Sequence, residues 1–277
     1  MKRRPLVADA VRRLADAGVG SPEADAEILL AHVLGIDRSR LVLVDEVADG
    51  DRATYNALVG RRAAREPLQH LTGRAYFRHV ELAVGPGVFV PRPETELLAG
   101  WGIEHTAPGA TVADLCSGTG AIALAVADEA APGRVLAVER SPAALGYLRR
   151  NAAAFPVVRV VEGDVTDPGL LPDCRGMVDV LLCNPPYVPE GTAVPPEVAD
   201  HDPAEAVFGG ADGLVVIRPV IGLAAGLLRP GGVVGIEHDD VHATAVPGLL
   251  RADGRFTDVV ARTDLTGRPR FATARRV

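Results

Sequence analysis

From Thr111 to Glu237 the chain alternates short apolar runs with helix-like runs, and this alternation constrains the fold more than any other feature of the sequence. TVADLC, GRVLAVE, VVRVVEGD, MVDVLLC and GGVVGIE are nearly continuous apolar stretches of strand length, as expected for strands buried on both faces. Between them, GAIALAVADEA, PAALGYLRRNAAA and LVVIRPVIGLAAGLL carry helical patterns, the last expected to kink or restart at Pro219. Repeated βα units of this kind place the strands parallel, with helices on both sides. The final stretch, GRFTDVVARTDLTGRPRFATARRV, has two β-like runs around a turn and suits an antiparallel hairpin at the sheet edge. The expected fold class is therefore α/β, a doubly wound and mainly parallel seven-stranded sheet.

The first ~70 residues read differently, as helices. Leu6, Val7, Ala10, Val11 and Leu14 share one face of LVADAVRRLADAG. In SPEADAEILLAHVLG, Ser21 is placed as N-cap, Pro22 as first helical residue and Gly35 as stop. A third helix runs from about Arg52 to Arg65, before Pro67. RAYFRHVELAVGPGVFVPRP then has β-rich runs around GPG and reads as a linking hairpin. The expected organisation is a helical bundle over 1–73, a hairpin over 74–90 and an α/β domain over 91–277.

Composition excludes several classes. With 277 residues and 48% apolar content, the chain can bury a sizeable core. The segment MKRRPLVADAVRRL lacks the apolar region of a secretory signal, and no apolar run is long enough to span a bilayer, so a cytoplasmic protein without a membrane partner is expected. Cys116, Cys174 and Cys183 lack CxxC spacing and read as reduced thiols. Residues 1–80 carry 13 basic and 11 acidic side chains; the remainder carries 16 and 25. No basic stripe points to a grip on long nucleic acid. The pairs Arg12/Arg13, Arg61/Arg62 and Arg149/Arg150 are read as mostly solvated helix faces, and the adjacent His201 and Asp202, without further ligands, are too sparse for a metal site, so none is expected.

Chemistry concentrates at the ends of the apolar strands. DLCSGTG leads straight into a helix, and Gly118 and Gly120 would let backbone amides and a helix N-terminus approach a ligand. The motif alone leaves a nicotinamide-binding site open, since Ala123 holds the place of the last glycine of G-x-G-x-x-G. Glu139 closes the next strand, 19 residues after Gly120, where a carboxylate could accept both ribose hydroxyl protons. Acids at three successive strand ends, Asp114, Glu139 and Asp164, suit the cationic sulfonium and ammonium of S-adenosylmethionine and would repel a pyrophosphate.

The strand MVDVLLC stops at Asn184-Pro185-Pro186-Tyr187. Consecutive prolines end a sheet ladder and stiffen what surrounds them, which serves a surface turn or a reactive site. Beside a methyl donor, the Asn184 side-chain oxygen and the Pro185 carbonyl could each accept one N–H of a planar NH₂ group. Tyr187 could cover its flat face, with Pro186 as rigid spacer. Alignment of the nitrogen lone pair would then supply most of the catalysis, without metal, nucleophilic serine or histidine base.

With PLQHLTG at 67–73, FVPRPETELL at 89–98, DLCSGTGAIALA, NPPY, ADGL at 211–214 and DLTGRPRF at 264–271, the chain resembles the bacterial release-factor N5-glutamine methyltransferases over nearly its whole length. The resemblance implies the class I S-adenosylmethionine-dependent fold and methyl transfer to the glutamine of the GGQ loop of peptide chain release factors. S-adenosylhomocysteine would be the product and a monomer the expected state. It further implies that the N-terminal helices help to grip the release factor and that Arg92 and Glu94 border the active site. Cofactor contacts are implied for Phe89, Cys116, Ser117, Gly118, Thr119, Gly120, Glu139, Asp164, Val165 and Asn184. NPPY also occurs in adenine-N6 and guanine-N2 methyltransferases, which makes a nucleic-acid enzyme the nearest alternative, ahead of a non-catalytic binding protein or a dehydrogenase. Two positions depart from the family pattern. Asp239 replaces the glycine of E-x-G-x-x-Q after Glu237, altering the turn, and Cys116 stands where glycine is common, narrowing the pocket near the methionine moiety.

Overall fold

The computed structural model describes residues 1–277 and divides into two compact units, Met1–Arg74 with Val194–His201, and Ala75–Ala193 with Asp202–Val277. In the first unit, α1 (Arg3–Asp16), α2 (Pro22–Leu34), α3 (Asp49–Ala63) and the short α4 (Leu68–Thr72) enclose a core. Leu6, Ala10 and Leu14 of α1 meet Leu29 and Leu30 of α2 and Tyr55 and Val59 of α3. Ser21 precedes α2, Pro22 opens it, and Gly35 ends it at φ 63°, a left-handed conformation that glycine adopts freely. Tyr55 is fully buried and donates its hydroxyl proton to the Ala26 carbonyl at 3.1 Å.

Arg62 departs from the expected solvated face. It is 7% exposed, and its Nε donates to Asp25 at 2.7 Å while a terminal nitrogen reaches Glu197 at 3.0 Å. Arg65 grips the same Glu197 through two hydrogen bonds, at 2.8 and 2.7 Å. A buried guanidinium needs such carboxylate partners. One of them lies 135 residues away, so no local pattern reveals it.

The second unit begins with β1 (Arg74–Phe77) and β2 (Val80–Ala83), a two-stranded hairpin whose Phe77, Val80 and Leu82 enter the core. The turn falls at Arg78 and His79 rather than at GPG, which follows β2. Arg78 holds φ 52° there, while its amide donates to Glu96 and its guanidinium clasps Glu129. Tertiary anchoring thus substitutes for the turn residues a sequence would advertise.

There follow α5 (Thr95–His105), β3 (Thr111–Leu115), α6 (Ala121–Glu129), β4 (Arg134–Glu139), α7 (Pro142–Ala152), β5 (Val158–Glu162) and β6 (Val178–Cys183). The short α8 (Pro196–His201) carries Glu197 and belongs to the first unit; α9 (Ala204–Val207) returns to the second. After them come α10 (Ile217–Leu227), β7 (Leu228–Glu237), α11 (Ala245–Asp253), β8 (Phe256–Thr263) and β9 (Pro269–Arg276). The helix around Pro219 starts only at Ile217, leaving Leu214–Val216 outside it, because proline lacks an N–H and fits the first turn, where none is needed.

The seven strands run in the order β5-β4-β3-β6-β7-β9-β8, parallel except for β9, which lies antiparallel between β7 and β8. Successive residues of each central strand face opposite layers. Val112, Val135, Val180 and Leu182 pack with α5, α6 and α7 on one side, whereas Leu115, Leu136, Leu181 and Ile236 pack with α10 and α11 on the other. The order reverses between β3 and β6, and open α/β sheets bind ligands at the carboxyl ends of strands beside such a reversal.

Candidate active site

Register brings four strand ends together. Leu115 of β3 pairs with Val138 of β4 and with Cys183 of β6, and Glu139 pairs with Glu162 of β5. The residues that follow these ends therefore face one cleft of about 1180 Å³, counting the space at its mouth. Phe89, Cys116, Ser117, Gly118, Thr119, Glu139, Asp164, Val165, Asn184, Pro185, Pro186 and Tyr187 all line it.

The loop after β3 is held by its own backbone and by Glu139. Ser117 donates its amide to the Val138 carbonyl at 2.9 Å, and the Gly120 amide closes a turn on the Ser117 carbonyl at 2.7 Å. Gly118 donates its N–H to Glu139 Oε2 at 2.8 Å, while Oε1 accepts the Arg140 and Ser141 amides, each at 2.8 Å. A carboxylate has about four acceptor sites, so Glu139 retains acceptor capacity toward the cleft. Cys116 adopts φ 59° at the head of the loop, the left-handed region where a side chain is strained and glycine is not.

Three expected residues stand outside the lining. Gly120 caps α6 at φ 90°, where an added Cβ would lie 2.7 Å from Leu148 Cδ1, so it serves the packing of α6 on α7. Arg92 lays its guanidinium 4.8 Å from the centroid of the cleft-lining Phe89 ring and donates to Asp202 at 2.5 Å. Glu94 is the N-cap residue of α5. Asp114, grouped above with the acidic strand ends, is also withdrawn: it is 1% exposed and accepts the Ala123 amide at 3.1 Å. Burial pushes its carboxyl up to about 7 against the pull of Ser117 and that amide.

Asp164 lies two residues beyond β5 and accepts the Thr166 amide and hydroxyl, each at 2.8 Å, and Arg140 at 3.2 Å; these bonds, the Thr166 amide foremost, hold its carboxyl below the usual range. The charged side chains of the lining are Glu139, Asp164 and Glu205 against Arg140, a net negative balance that favours a cationic ligand. Apolar Phe89, Val88, Ile122, Val138 and Val165 supply flat surface beside them.

At the other end, Asn184 Nδ2 donates to the Thr95 hydroxyl oxygen at 3.0 Å, and the Tyr187 hydroxyl donates to Glu237 Oε1 at 3.0 Å. Burial and the adjoining carboxylate push the Tyr187 phenol well above its ordinary value, so it keeps its proton. Beyond Tyr187 the chain is pinned, since Val188 donates to the Val207 carbonyl at 3.0 Å and accepts the Gly209 amide at 2.9 Å. Sequence reasoning missed Pro91, Thr95, Arg140 and the Pro203–Val207 strap in the lining. The altered turn after Glu237 is a short 3-10 helix in which Asp239 accepts the Val241 amide at 3.1 Å.

The sequence matches a family model described as PrmC N-terminal domain over residues 6–73 and one described as methyltransferase small domain over residues 94–201. Among solved structures, the Thermus thermophilus 16S rRNA N2 G1207 methyltransferase, in complex with AdoMet and guanosine, superposes with a TM-score of 0.52 at 22% identity, over 74% of this chain and 50% of that one. That likeness concerns the fold. Curated relatives are nearer. The release factor glutamine methyltransferase of Mycolicibacterium smegmatis is 54% identical over 99% of this chain and 98% of its own length. That of Streptomyces coelicolor is 50% identical over 98% and 96%, and that of Deinococcus radiodurans 41% over 100% and 99%. Identity of this degree along the whole of both sequences, joined to a cleft with NPPY at its end, places the chain in the release factor glutamine methyltransferase family.

Proposed function

We propose that this protein methylates the side-chain amide nitrogen (N5) of the glutamine in the GGQ loop of peptide chain release factors, using S-adenosylmethionine, as a cytoplasmic monomer. The observation that carries the reading is the placement of Asn184–Tyr187 in the same net-negative cleft as the Cys116–Gly118 loop and Glu139. No helix is long and apolar enough to cross a membrane.

The cofactor fits the residues present. Glu139 retains acceptor capacity for ribose hydroxyls, the Cys116–Thr119 loop offers main-chain groups ahead of α6, and Phe89 and Val165 present apolar surface. Bound there, S-adenosylmethionine supplies a methyl group on a positively charged sulfur, an electrophile that needs only an aligned nucleophile. The chain's part is alignment. Asn184 Oδ1 and the Pro185 carbonyl each accept one N–H of the glutamine amide, Tyr187 covers its face, and Pro186 keeps the two acceptors at fixed spacing. Apolar walls and the Pro203–Val207 strap exclude water from the amide. Arg92 and Glu94 border this end, and the helices of residues 1–73 are assigned the grip on the release factor.

The test incubates the full chain with S-adenosylmethionine and, separately, full-length release factors and ribosomal RNA. Peptide mass spectrometry should locate one added methyl group on the GGQ glutamine. Label on RNA with an unmodified release factor would overturn the assignment.

A further inference from the structure

Behind Asn184 and Tyr187 lies a hydrogen-bonded group that the catalytic reading above does not use. Glu237, the last residue of β7, is 1% exposed, and Tyr187 occupies its Oε1. Thr95, the first residue of α5, is 4% exposed, lines the cleft, and accepts Asn184 Nδ2 at 3.0 Å. Glu237 Oε2 is buried and accepts no hydrogen bond, and the Thr95 hydroxyl, close enough to favour the ionised carboxylate, has its proton free to turn toward that open oxygen.

We propose that Thr95 and Glu237 are positioning residues that set the polarity of the Asn184 amide, turning its carbonyl oxygen rather than its NH₂ toward the nitrogen to be methylated. An ionised carboxylate only accepts, and a threonine hydroxyl has one proton. With that proton directed to Glu237, Thr95 Oγ1 can only accept, and the partner that donates to it is the amide NH₂ of Asn184. The planar amide then presents Oδ1 on its other side. Turned over, Asn184 would set N–H groups against the N–H groups of the target, with no acceptor between them. Tyr187, donating to the same carboxylate, is fixed by the same charge.

Protonation of Glu237 makes it a donor as well and removes the direction. Burial pushes its carboxyl up to about 7, with the nearby Thr95 hydroxyl, the hydrogen bond from Tyr187 and the charge of Arg270 on β9 opposing that rise and Glu94, ahead of α5, adding to it. Cys183 at the end of β6 faces it as a neutral thiol, its own ionisation suppressed by burial. Methyl transfer is therefore expected to fall as pH drops through about 7.

The inference rests on the catalytic reading of Asn184, and the experiment separates the two. Rates on a full-length release factor are measured for the intact chain and for Thr95→Val, Thr95→Ser and Glu237→Gln, with thermal melts and calorimetric titration of S-adenosylmethionine. Thr95→Val keeps shape and loses the hydroxyl; kcat should drop about 10- to 100-fold with cofactor affinity unchanged. Thr95→Ser should restore most of the rate. Glu237→Gln should lower kcat and abolish the loss of rate below neutral pH. An active wild type with Thr95→Val as fast as Thr95→Ser overturns the inference alone, as does a Val variant whose cofactor affinity falls in step with its rate. If Thr95→Val does not fold, the Glu237→Gln pH profile decides, and an unchanged acid limb overturns the proposal. A wild type that leaves the glutamine unmodified overturns the functional reading and this inference with it.

Discussion

Asn184 and Cys116 show how much a single residue can carry at a strand end. Replacing Asn184 by alanine removes an acceptor for the target amide but no contact assigned to the ribose. Methyl transfer should fall at least about 100-fold while calorimetric affinity for S-adenosylmethionine is kept. Cys116 was legible as a departure from glycine, and its φ of 59° gives that departure a physical content. A β-branched side chain is worse tolerated there than an unbranched one. Denaturant midpoints should place Cys116→Gly at or above the natural chain, by up to roughly 1–2 kcal/mol, and Cys116→Val below it. A valine variant as stable as the glycine variant would refute the strain. Thr95 and Glu237 were harder to read, because a threonine inside PETELL and a glutamate at a strand end have ordinary local reasons to be where they are.

Among the elements, α5 is the one the sequence concealed. Gly100 and Gly102 interrupt TELLAGWGIEH, and although its buried Thr95, Leu98, Ala99 and Gly102 share one face at i, i+3, i+4 and i+7, a threonine, an alanine and a glycine among them leave little hydrophobic signal. The glycine at 102 is a packing choice: an added Cβ would stand 2.4 Å from Leu182 Cδ1, in a side chain fully buried on β6. Gly146 of α7 is exposed and its Cβ direction is open. One substitution should therefore act with opposite signs. Gly102→Ala is expected to destabilise by about 1–3 kcal/mol through overpacking, less up to about 1 kcal/mol of helix propensity, and Gly146→Ala to stabilise by roughly 0.5–1 kcal/mol. Denaturant midpoints measure both, and a stabilised Gly102→Ala would remove the close approach of α5 to the sheet. The strands, by contrast, were readable because β3, β4, β6 and β7 are mostly buried on both faces, which leaves few polar positions to blur the pattern.

For the molecule as a whole, two sets of carboxyls pull stability in opposite directions with pH. Burial raises Asp114 and Glu237 to about 7, so between their unfolded values and about 7 the folded chain binds more protons than the unfolded one. Stability then falls as pH rises through that window, on the order of 3 kcal/mol for each group. Glu197 behaves oppositely: burial resists its ionisation, but hydrogen bonds from Arg65 and Arg62 outweigh it and bring the carboxyl down to about 2. Glu66 and Glu129 are also lowered, by Arg61 and Arg78. What these three contribute is present above their unfolded values and lost as pH falls through the lowered ones. Urea titrations from pH 3 to 8 should therefore show a maximum near about pH 5. Stability that climbs steadily to pH 8 would contradict the burial of Asp114 and Glu237 as the dominant influence on their carboxyls.

The sequence by itself determined which stretches became the central strands and where each one stopped, because period, proline and glycine act on neighbours a few residues apart. That was enough to locate the loop at Cys116–Gly118, Glu139 and the Asn184–Tyr187 end as candidates. Only the tertiary structure decided that β3 and β6 lie side by side, that Asp114 and Gly120 turn away from the cleft, and that Thr95 and Glu237 back Asn184 and Tyr187 across 89 and 50 residues. Partners at such separations are chosen by how helices cover the sheet and by which buried polar atoms still need a donor or an acceptor, conditions set only when the whole chain has packed.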